Sequence, residues 1–504
     1  MSDNLRQLLE HRVAEYGDKP YLFSEADGRI WSYRDFDAAV NRTANLLISH
    51  SIECGDVVSL LMPNSAEYII AYFACWKIGA IAGPINSLLK SEEIVWVVAN
   101  SEAKLILVGS QFFSLLSDAQ LPRVVIFDNV EEIAIGGELT LPPLGPDDHA
   151  IIIYTSGTTG KPKGCVLTHG NLIANARQIA EWMGFSSQDR LLTIMPLFHM
   201  NAVSVTTMTA LYCGGSTVVT PRFSVSRFWE IIEKYHITSF GSVSTMLLML
   251  LAARQESSGP EAGRSASFDP RLSTLRFAMC GSAPVPAEVL KRFEETFTCL
   301  VIEGYGLSES TCRSTFNPPN ENRRPGSCGQ PIGNEMRVFD DQDREVPDGE
   351  LGEIVLRGPN ICKEYFKNPE ATAKAFANGW FHTGDIAYRD SDGFFYIADR
   401  KSDMIIRGGE NIYPREIDDL LYTHPAIAAA AVIGVPDELY GEAVAAFVVL
   451  KDDLTPTEQD LIDFCRIHLA DFKCPQTVHF LDEIPKGPTG KLLKRELAKI
   501  AAKL

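Results

Sequence analysis

IIYTSGTTGKPKGC, residues 152–165, is the stretch from which the rest of the chain can be read. An apolar run from Ala150 to Ile153 stops abruptly and gives way to small hydroxyl residues, glycines and lysines. Such a change marks a buried strand opening into a polar loop. Gly157, Gly160 and Gly164 let backbone come close to a ligand, Thr155, Ser156, Thr158 and Thr159 add hydroxyls, and Lys161 and Lys163 add positive charge. The guest such a loop suits is a polyphosphate. The Walker pattern is absent, because Pro162 follows Gly160-Lys161 after too short a spacer, and G-x-G-x-x-G is missing as well. A flexible Ser/Thr/Gly linker is the simpler alternative, but linkers rarely carry two lysines directly behind a buried strand.

Composition narrows the field. At 504 residues the chain exceeds what one core usually supports, so two or more domains are expected. Eleven cysteines without C-x-x-C pairs or metal-type spacing point to reduced thiols and a cytoplasmic location. The first twenty residues mix acids and bases and do not read as a signal peptide, and no apolar run is long enough for integral membrane association. A formal net charge of -19 argues against nucleic acid as a partner. Any anionic ligand must therefore meet a local positive site.

Along the chain, LRQLLEHRV reads as an amphipathic helix and WSYRDFDAAVNRTANLLISH as a turn leading into a longer one. DVVSLLMP is a buried strand, and NSAEYIIAYFACWKIGAI a core helix with Asn64 and Glu67 as its expected cap. Its Tyr68, Phe73 and Trp76 read as packing. LILVGS, RVVIFD, STVVTPRF, ITSFGSV, LRFAMCGSAP and LVIEGYG repeat the short strand pattern with helices between, which predicts an α/β fold with a parallel sheet. Residues 255–267 look like a disordered loop. From about Asn334 the texture predicts antiparallel strands. The domain boundary is placed between Asp399 and Asp403, giving a large N-terminal domain, 1–399, and a smaller α+β C-terminal domain, 400–504.

In this order the chain resembles the adenylate-forming superfamily of acyl-CoA synthetases, peptide-synthetase adenylation domains and beetle luciferases. The resemblance rests on YTSGTTGKPKG at 154–164, PLFHMNA at 196–202, GSAP at 281–284, GYGLSES at 304–310, HTGD at 382–385, DRKSDMI at 399–405, RGGENIYPREID at 407–418 and PKGPTGK at 485–491. Any one motif could be accidental, but eight in order are not. The resemblance implies ATP, Mg²⁺ and coenzyme A: a carboxylate attacks the α-phosphate to give an acyl-adenylate and pyrophosphate, and a thiol then displaces AMP. It implies that Thr155, Ser156, Gly157, Thr158, Thr159, Gly160 and Lys163 hold the departing phosphates, that Glu309 binds the metal, and that Ser308 touches the α-phosphate. Tyr305, flanked by Gly304 and Gly306, would stack on adenine, with Gly281, Ser282, Ala283, Pro284 and Glu303 lining the other side. Asp385 would accept the ribose hydroxyls and Arg400 would add to that contact. Lys491 would bridge carboxylate and α-phosphate, although a solvated basic helix surrounds it in sequence. The C-terminal domain would swing about a hinge near Ser402, presenting Gly408 and Gly409 to the pantetheine. Lys473 is either a CoA phosphate contact or a surface lysine.

For the acid, His199 stands where amino-acid-activating relatives typically carry aspartate, which favours a simple carboxylic acid with CoA. His199 itself reads as a catalytic gate or a core residue. Met200, Val203, Phe240, Gly241 and Ser242 are the expected acyl pocket. NRTANLL, KIGAI, PIN, KEYFKNPEATAK and RGGEN are similar to bacterial crotonobetaine/carnitine-CoA ligases, which sets a carnitine-like acid beside medium-chain and aryl acids. The competing readings are a stand-alone enzyme loading a carrier protein and a catalytically silent nucleotide sensor. A homodimer is the assembly considered.

Overall fold

The computed structural model describes residues 2–116, 121–134, 136–155, 162–256, 274–281, 287–451, 454–486 and 493–502. Two seven-stranded sheets form its larger part. One runs, in spatial order, Glu364–Tyr365, Lys163–Thr168, His149–Thr155, Ile81–Pro84, Val57–Leu61, Leu105–Val108 and Arg123–Ile126. The other runs Leu300–Glu303, Phe277–Cys280, Ser239–Ser242, Arg190–Thr193, Ser216–Val219, Pro20–Ser24 and Ile30–Ser32. Inner strands of both pair in parallel, as the alternation of short apolar runs with helices predicts.

The glycine-rich stretch departs from that expectation. Its strand His149–Thr155 turns back on itself, and Lys163–Thr168 pairs with it antiparallel, with Thr155 opposite Lys163. The strand KGCVLT was hidden because its β-branched residues, Val166 and Thr168, follow a lysine, a glycine and a cysteine and make too short a run to announce a strand.

Between the sheets lies the helix Ala66–Ile78, every residue of which is buried. A helix apolar on all sides has no solvent face to offer. Trp76 donates its indole N–H to the Ala150 carbonyl at 2.9 Å, beside one sheet, and Tyr72 donates its hydroxyl to Leu197 O at 2.8 Å, beside the other. Ser65, not Asn64, caps this helix, its hydroxyl accepting the Tyr68 N–H. Asn64 instead spans to the second sheet's loop, donating to Met195 O and accepting from Leu197 N–H, both at 2.8 Å. Of the stretch 255–267, Gln255 and Glu256 complete the helix Ser244–Glu256, and 257–267 lie outside the described residues.

A four-stranded antiparallel sheet follows, Glu335–Phe339, Gly352–Arg357, Phe381–Arg389 and Phe395–Arg400. A five-stranded sheet closes the chain: Glu410–Ile412, Ile405–Arg407, Gly441–Leu450 and Ile427–Asp437, with Thr477–Phe480 beside Gly441–Leu450. Buried side chains before Ile397 pack in one set of clusters and those from Ile405 onward in another.

Candidate active site

The site grows from the ends of strands. Thr155 closes the strand of the glycine-rich stretch, and its hydroxyl donates to Glu309 Oε1 at 3.3 Å. Tyr365 donates to the same oxygen at 3.0 Å. Glu309 sits in the short 3₁₀ turn Ser308–Ser310, pinned by its own carbonyl, which accepts the Cys362 N–H at 2.7 Å. Lys163, facing Thr155 across the hairpin, places its ammonium 5.1 Å from the Tyr365 ring centroid.

Four residues before Glu309, Tyr305 donates its phenol to Asp385 Oδ2 at 2.6 Å. Burial and this carboxylate push the phenol's pKa well up, so it remains a donor. Arg400 Nε lies 3.2 Å from Asp385 Oδ1 on the solvent side. Asp385 is further held by its N–H donating to Thr383 Oγ1 at 3.1 Å, and Thr383 in turn donates to Ile354 O. Glu303, at the end of its strand, has one carboxyl oxygen accepting the Gly326 N–H at 3.0 Å, and burial pushes its pKa up to about 8. Gly304 continues the sheet pattern, its N–H donating to Cys280 O. Gly306 lies so close to the Cys312 carbonyl that no side chain fits.

On the second sheet's ends the expected acyl pocket is redrawn. Met200 and Val203 are buried, and His199 half-buried, where the loop enters a π-helix, Asn201–Met208. Burial lowers His199 to about pKa 4, and its Nε2 has no partner among the described residues. Gly241 faces this helix: a Cβ there would stand 2.5 Å from Asn201 Oδ1. Phe240 and Ser242 do not share that face, since strand side chains alternate. Phe240 packs edge-on against Phe228, centroids 5.0 Å apart, and Ser242 donates to Met279 O at 3.1 Å. Both side chains thus have partners within the sheet and the packing beside it. Gly281, one residue past the neighbouring strand, leaves room for Arg313: a Cβ there would meet Arg313 Nη2 at 2.6 Å and Gly304 O at 2.7 Å.

The other expected residues divide in two. Ser156, Gly157, Thr158, Thr159, Gly160, Ser282, Ala283, Pro284 and Lys491 lie outside the described residues. Leu493 N–H donates to Pro485 O at 2.9 Å, joining the two flanks of the Lys491 segment. Gly408 and Gly409 turn the C-terminal hairpin with φ of 60° and 91°, values that suit glycine. Lys473 is ion-paired with Glu416 at 2.7 Å and is not a free surface cation.

Three residues that sequence reading passed over belong here: Tyr365, Asn201 and Arg313. Arg313 carried one usable signal, a charge inside the run STCRSTF of small and apolar residues.

Among the described residues no cluster of three or more His, Cys, Asp or Glu could hold a metal by itself. The lone carboxylate of Glu309, beside a hydroxyl and a phenol, fits Mg²⁺, which is commonly held by one or two carboxylates plus phosphate and water. It would not fit a metal that needs a full protein cage.

Comparison with known proteins agrees with this geometry. Residues 9–366 match the family described as AMP-binding enzyme, and residues 416–491 the AMP-binding enzyme C-terminal domain. The chain belongs to this adenylate-forming family. It is 36% identical to a crotonobetaine/carnitine–CoA ligase of Citrobacter koseri, over 98% of each chain, and 34% identical to a sulfoacetate–CoA ligase of Cupriavidus necator, over 98% of this chain and 97% of that one. Among solved structures, ATP-bound MatB from Rhodopseudomonas palustris superimposes with a TM-score of 0.89 at 28% identity, covering 99% of both chains. o-Succinylbenzoate CoA synthetase from Bacillus subtilis, in complex with its acyl-adenylate intermediate, superimposes with a TM-score of 0.84 at 31% identity, covering 98% of both chains. The protein is an AMP-forming acid–thiol ligase: it uses ATP, with Mg²⁺, to convert a carboxylic acid to an acyl-adenylate and passes the acyl group to coenzyme A. Among the described residues no helix is long and apolar enough to cross a membrane.

Proposed function

We propose that the five-residue segment from Tyr305 to Glu309 is the centre of the adenylation site. The observation that carries this is that one short turn supplies both bonded clusters, Tyr305 to Asp385 on one side and Glu309 to Thr155 and Tyr365 on the other. A nucleoside fits the first and its phosphates the second. In this reading Asp385 accepts the ribose hydroxyls, each carboxylate oxygen keeping a further lone pair beside Tyr305 and Arg400. Tyr305 offers its ring to the base, with Glu303, Gly304, Gly306 and the 281–284 segment around it.

The reaction brings a carboxylate onto a phosphate, so like charges must be offset as they meet. Ser308 donates its hydroxyl to the α-phosphate. The 155–163 loop, with Lys163 at its base, holds the leaving phosphates. Glu309 would hold Mg²⁺, which supplies charge neutralisation at the phosphates. Lys491 would reach the bond-forming oxygens, where a flexible ammonium suits a moving charge. The carboxylate oxygen then bonds the α-phosphorus and the bond to the β-phosphate oxygen breaks, releasing pyrophosphate. The CoA thiol displaces AMP in the second half.

Domains 1–399 and 400–504, pivoting near Ser402, would alternate between the two halves. The separate packing of side chains on either side of 397–405 supports this division. Gly408 and Gly409 would approach the pantetheine. Because Lys473 is paired with Glu416, a CoA phosphate would have to compete for it. Free cysteines throughout the chain support a cytoplasmic location, and a homodimer, suggested by the family resemblance alone, is checked by light scattering. The substrates for which the relatives are named, sulfoacetate and crotonobetaine or carnitine, are short acids with a second charged group; an acid of that size is the substrate proposed here.

The test is AMP and pyrophosphate release by the purified full-length chain with CoA and a panel of acids. Acid-dependent AMP formation is expected. ADP formation, or turnover independent of CoA but dependent on a carrier protein, would overturn the reading.

A further inference from the structure

Arg313 is 1% exposed, one of the largest fully buried side chains in the molecule. Among the described residues its Nε and Nη2 meet no hydrogen-bond partner. A buried guanidinium left in this condition is strongly disfavoured unless something satisfies it. Its plane lies near the Phe316 ring, 5.3 Å from the centroid, which offsets only part of that cost. The backbone around it is rigid: Asn175 Nδ2 donates to Arg313 O at 2.7 Å, and Asn360 Nδ2 to the same oxygen at 3.1 Å. The backbone that carries the side chain is therefore held in place, and the side chain itself is enclosed.

It is not alone. Asn201 is 5% exposed, and neither its Oδ1 nor its Nδ2 has a partner among the described residues; His199 Nε2 is in the same condition. Gly241 stands opposite Met279 in the parallel pair of strands, and Gly281 follows two residues later, so both glycines open onto the same face of the sheet. Asn201 fills the space over Gly241 and Arg313 the space over Gly281. With neighbouring strands ~4.8 Å apart and ~3.3 Å per residue along them, the two positions are on the order of 8 Å apart. A hydrogen-bond chain ties their supports together: Ser204, in the π-helix of Asn201, donates to Asn175 Oδ1 at 2.9 Å, and Asn175 holds Arg313. The same Gly281 begins the segment expected to line the nucleotide.

We propose that Arg313, with Asn201 and His199, binds a second anionic group at the far end of the substrate acid, so that the enzyme selects short acids bearing a terminal carboxylate or sulfonate. This rests on the ligase reading above. A guanidinium offers paired N–H donors to a planar or tetrahedral oxyanion, and the amide and imidazole complete its shell. Satisfying a charged group buried this deeply makes the discrimination large, because a neutral acid leaves the arginine unpaired. A trimethylammonium acid is disfavoured outright, since its cation would face a like charge.

The experiment uses the full-length enzyme with ATP, Mg²⁺ and CoA and reads kcat/KM for AMP release. Malonate and sulfoacetate are set against monomethyl malonate and butanoate, which carry one carboxylate and a neutral end. At least ~100-fold preference for an acid with two anionic groups is expected, and malonate against sulfoacetate tells carboxylate from sulfonate. Arg313→Met should bring that preference to near unity by cutting the dianionic rate, Arg313→Lys should keep part of it, and the KM for ATP should stay nearly constant in both. Wild-type preference for the neutral-ended acids overturns the proposal without any variant, so it stands or falls even where Arg313→Met does not fold. A preference unchanged in a folded Arg313→Met overturns it as well. AMP release with no acid of either class would instead overturn the ligase reading itself.

Discussion

Desolvation holds two imidazoles neutral, His199 at the entry to the π-helix and His169, which accepts the Leu5 N–H at 3.2 Å, and lowers each to about pKa 4. The unfolded chain takes up protons near pH 6.5 where the folded one does not, so stability is fully present above that pH and is lost as pH falls toward 4. Each histidine contributes about 3 kcal/mol to that loss as an upper bound. His199→Gln should reduce the drop in unfolding midpoint between pH 7.5 and pH 5, measured by thermal denaturation. Glu309→Gln keeps an acceptor for Thr155 and Tyr365, so the fold should survive while adenylation falls by ~100-fold or more and the Mg²⁺ requirement rises; a metal titration of pyrophosphate release checks this. Glu309, Tyr305 and Asp385 stand in motifs visible in the sequence, the first two just past the strand Leu300–Glu303 and Asp385 within the strand Phe381–Arg389. What sets Arg313 and Asn201 apart is a property of packing alone: side-chain polar atoms without a hydrogen-bond partner among the described residues. SFGS has no alternation to say which face is covered, so the sequence alone does not separate Phe240 and Ser242 from Gly241.

Glycines at the strand ends decide how closely elements meet. At Gly281 a methyl group would press on the Gly304 carbonyl at 2.7 Å as well as on Arg313, and backbone cannot give way as a flexible side chain can. Gly281→Ala should therefore cost ~1–3 kcal/mol of stability and reduce adenylation together, seen as a lower unfolding midpoint and a lower kcat/KM. By contrast, Ser32→Ala removes only the capping box of the helix Tyr33–Ser49 and should cost about 1 kcal/mol with activity intact. Buried parallel strands were readable as short apolar runs, and the core helix Ala66–Ile78 as a longer one behind a polar cap. The antiparallel return of Lys163–Thr168 and the π-helix at Asn201–Met208 were not. The first depends on pairing across a loop, and the second on hydroxyls such as Thr207 and Thr209, which donate to carbonyls five residues back, at Ala202 and Ser204, a register that no hydrophobic period announces.

At the scale of the whole molecule, Asp399 stands where the two parts of the chain meet. Its carboxylate accepts the Arg400 N–H at 2.7 Å and, from the C-terminal helix Pro414–Tyr422, the Arg415 N–H at 3.0 Å, with Lys494 3.9 Å away. The polar stretch of low apolar density was visible in the sequence, whereas these bonds across it were not, since they join residues distant in sequence. If the C-terminal part delivers Lys491 for one half-reaction only, Lys491→Ala should slow acyl-adenylate formation by ~100-fold or more while a supplied acyl-adenylate still reacts with CoA at near wild-type rate. Equal loss in both halves would contradict alternation. The most direct test of the account is a single-turnover reaction of the wild-type enzyme with ATP, Mg²⁺ and malonate or sulfoacetate, without CoA. Enzyme-bound acyl-adenylate and one equivalent of pyrophosphate are the predicted products, with AMP and acyl-CoA appearing once CoA is added. Release of ADP and inorganic phosphate, with no acyl-adenylate before CoA, would contradict it.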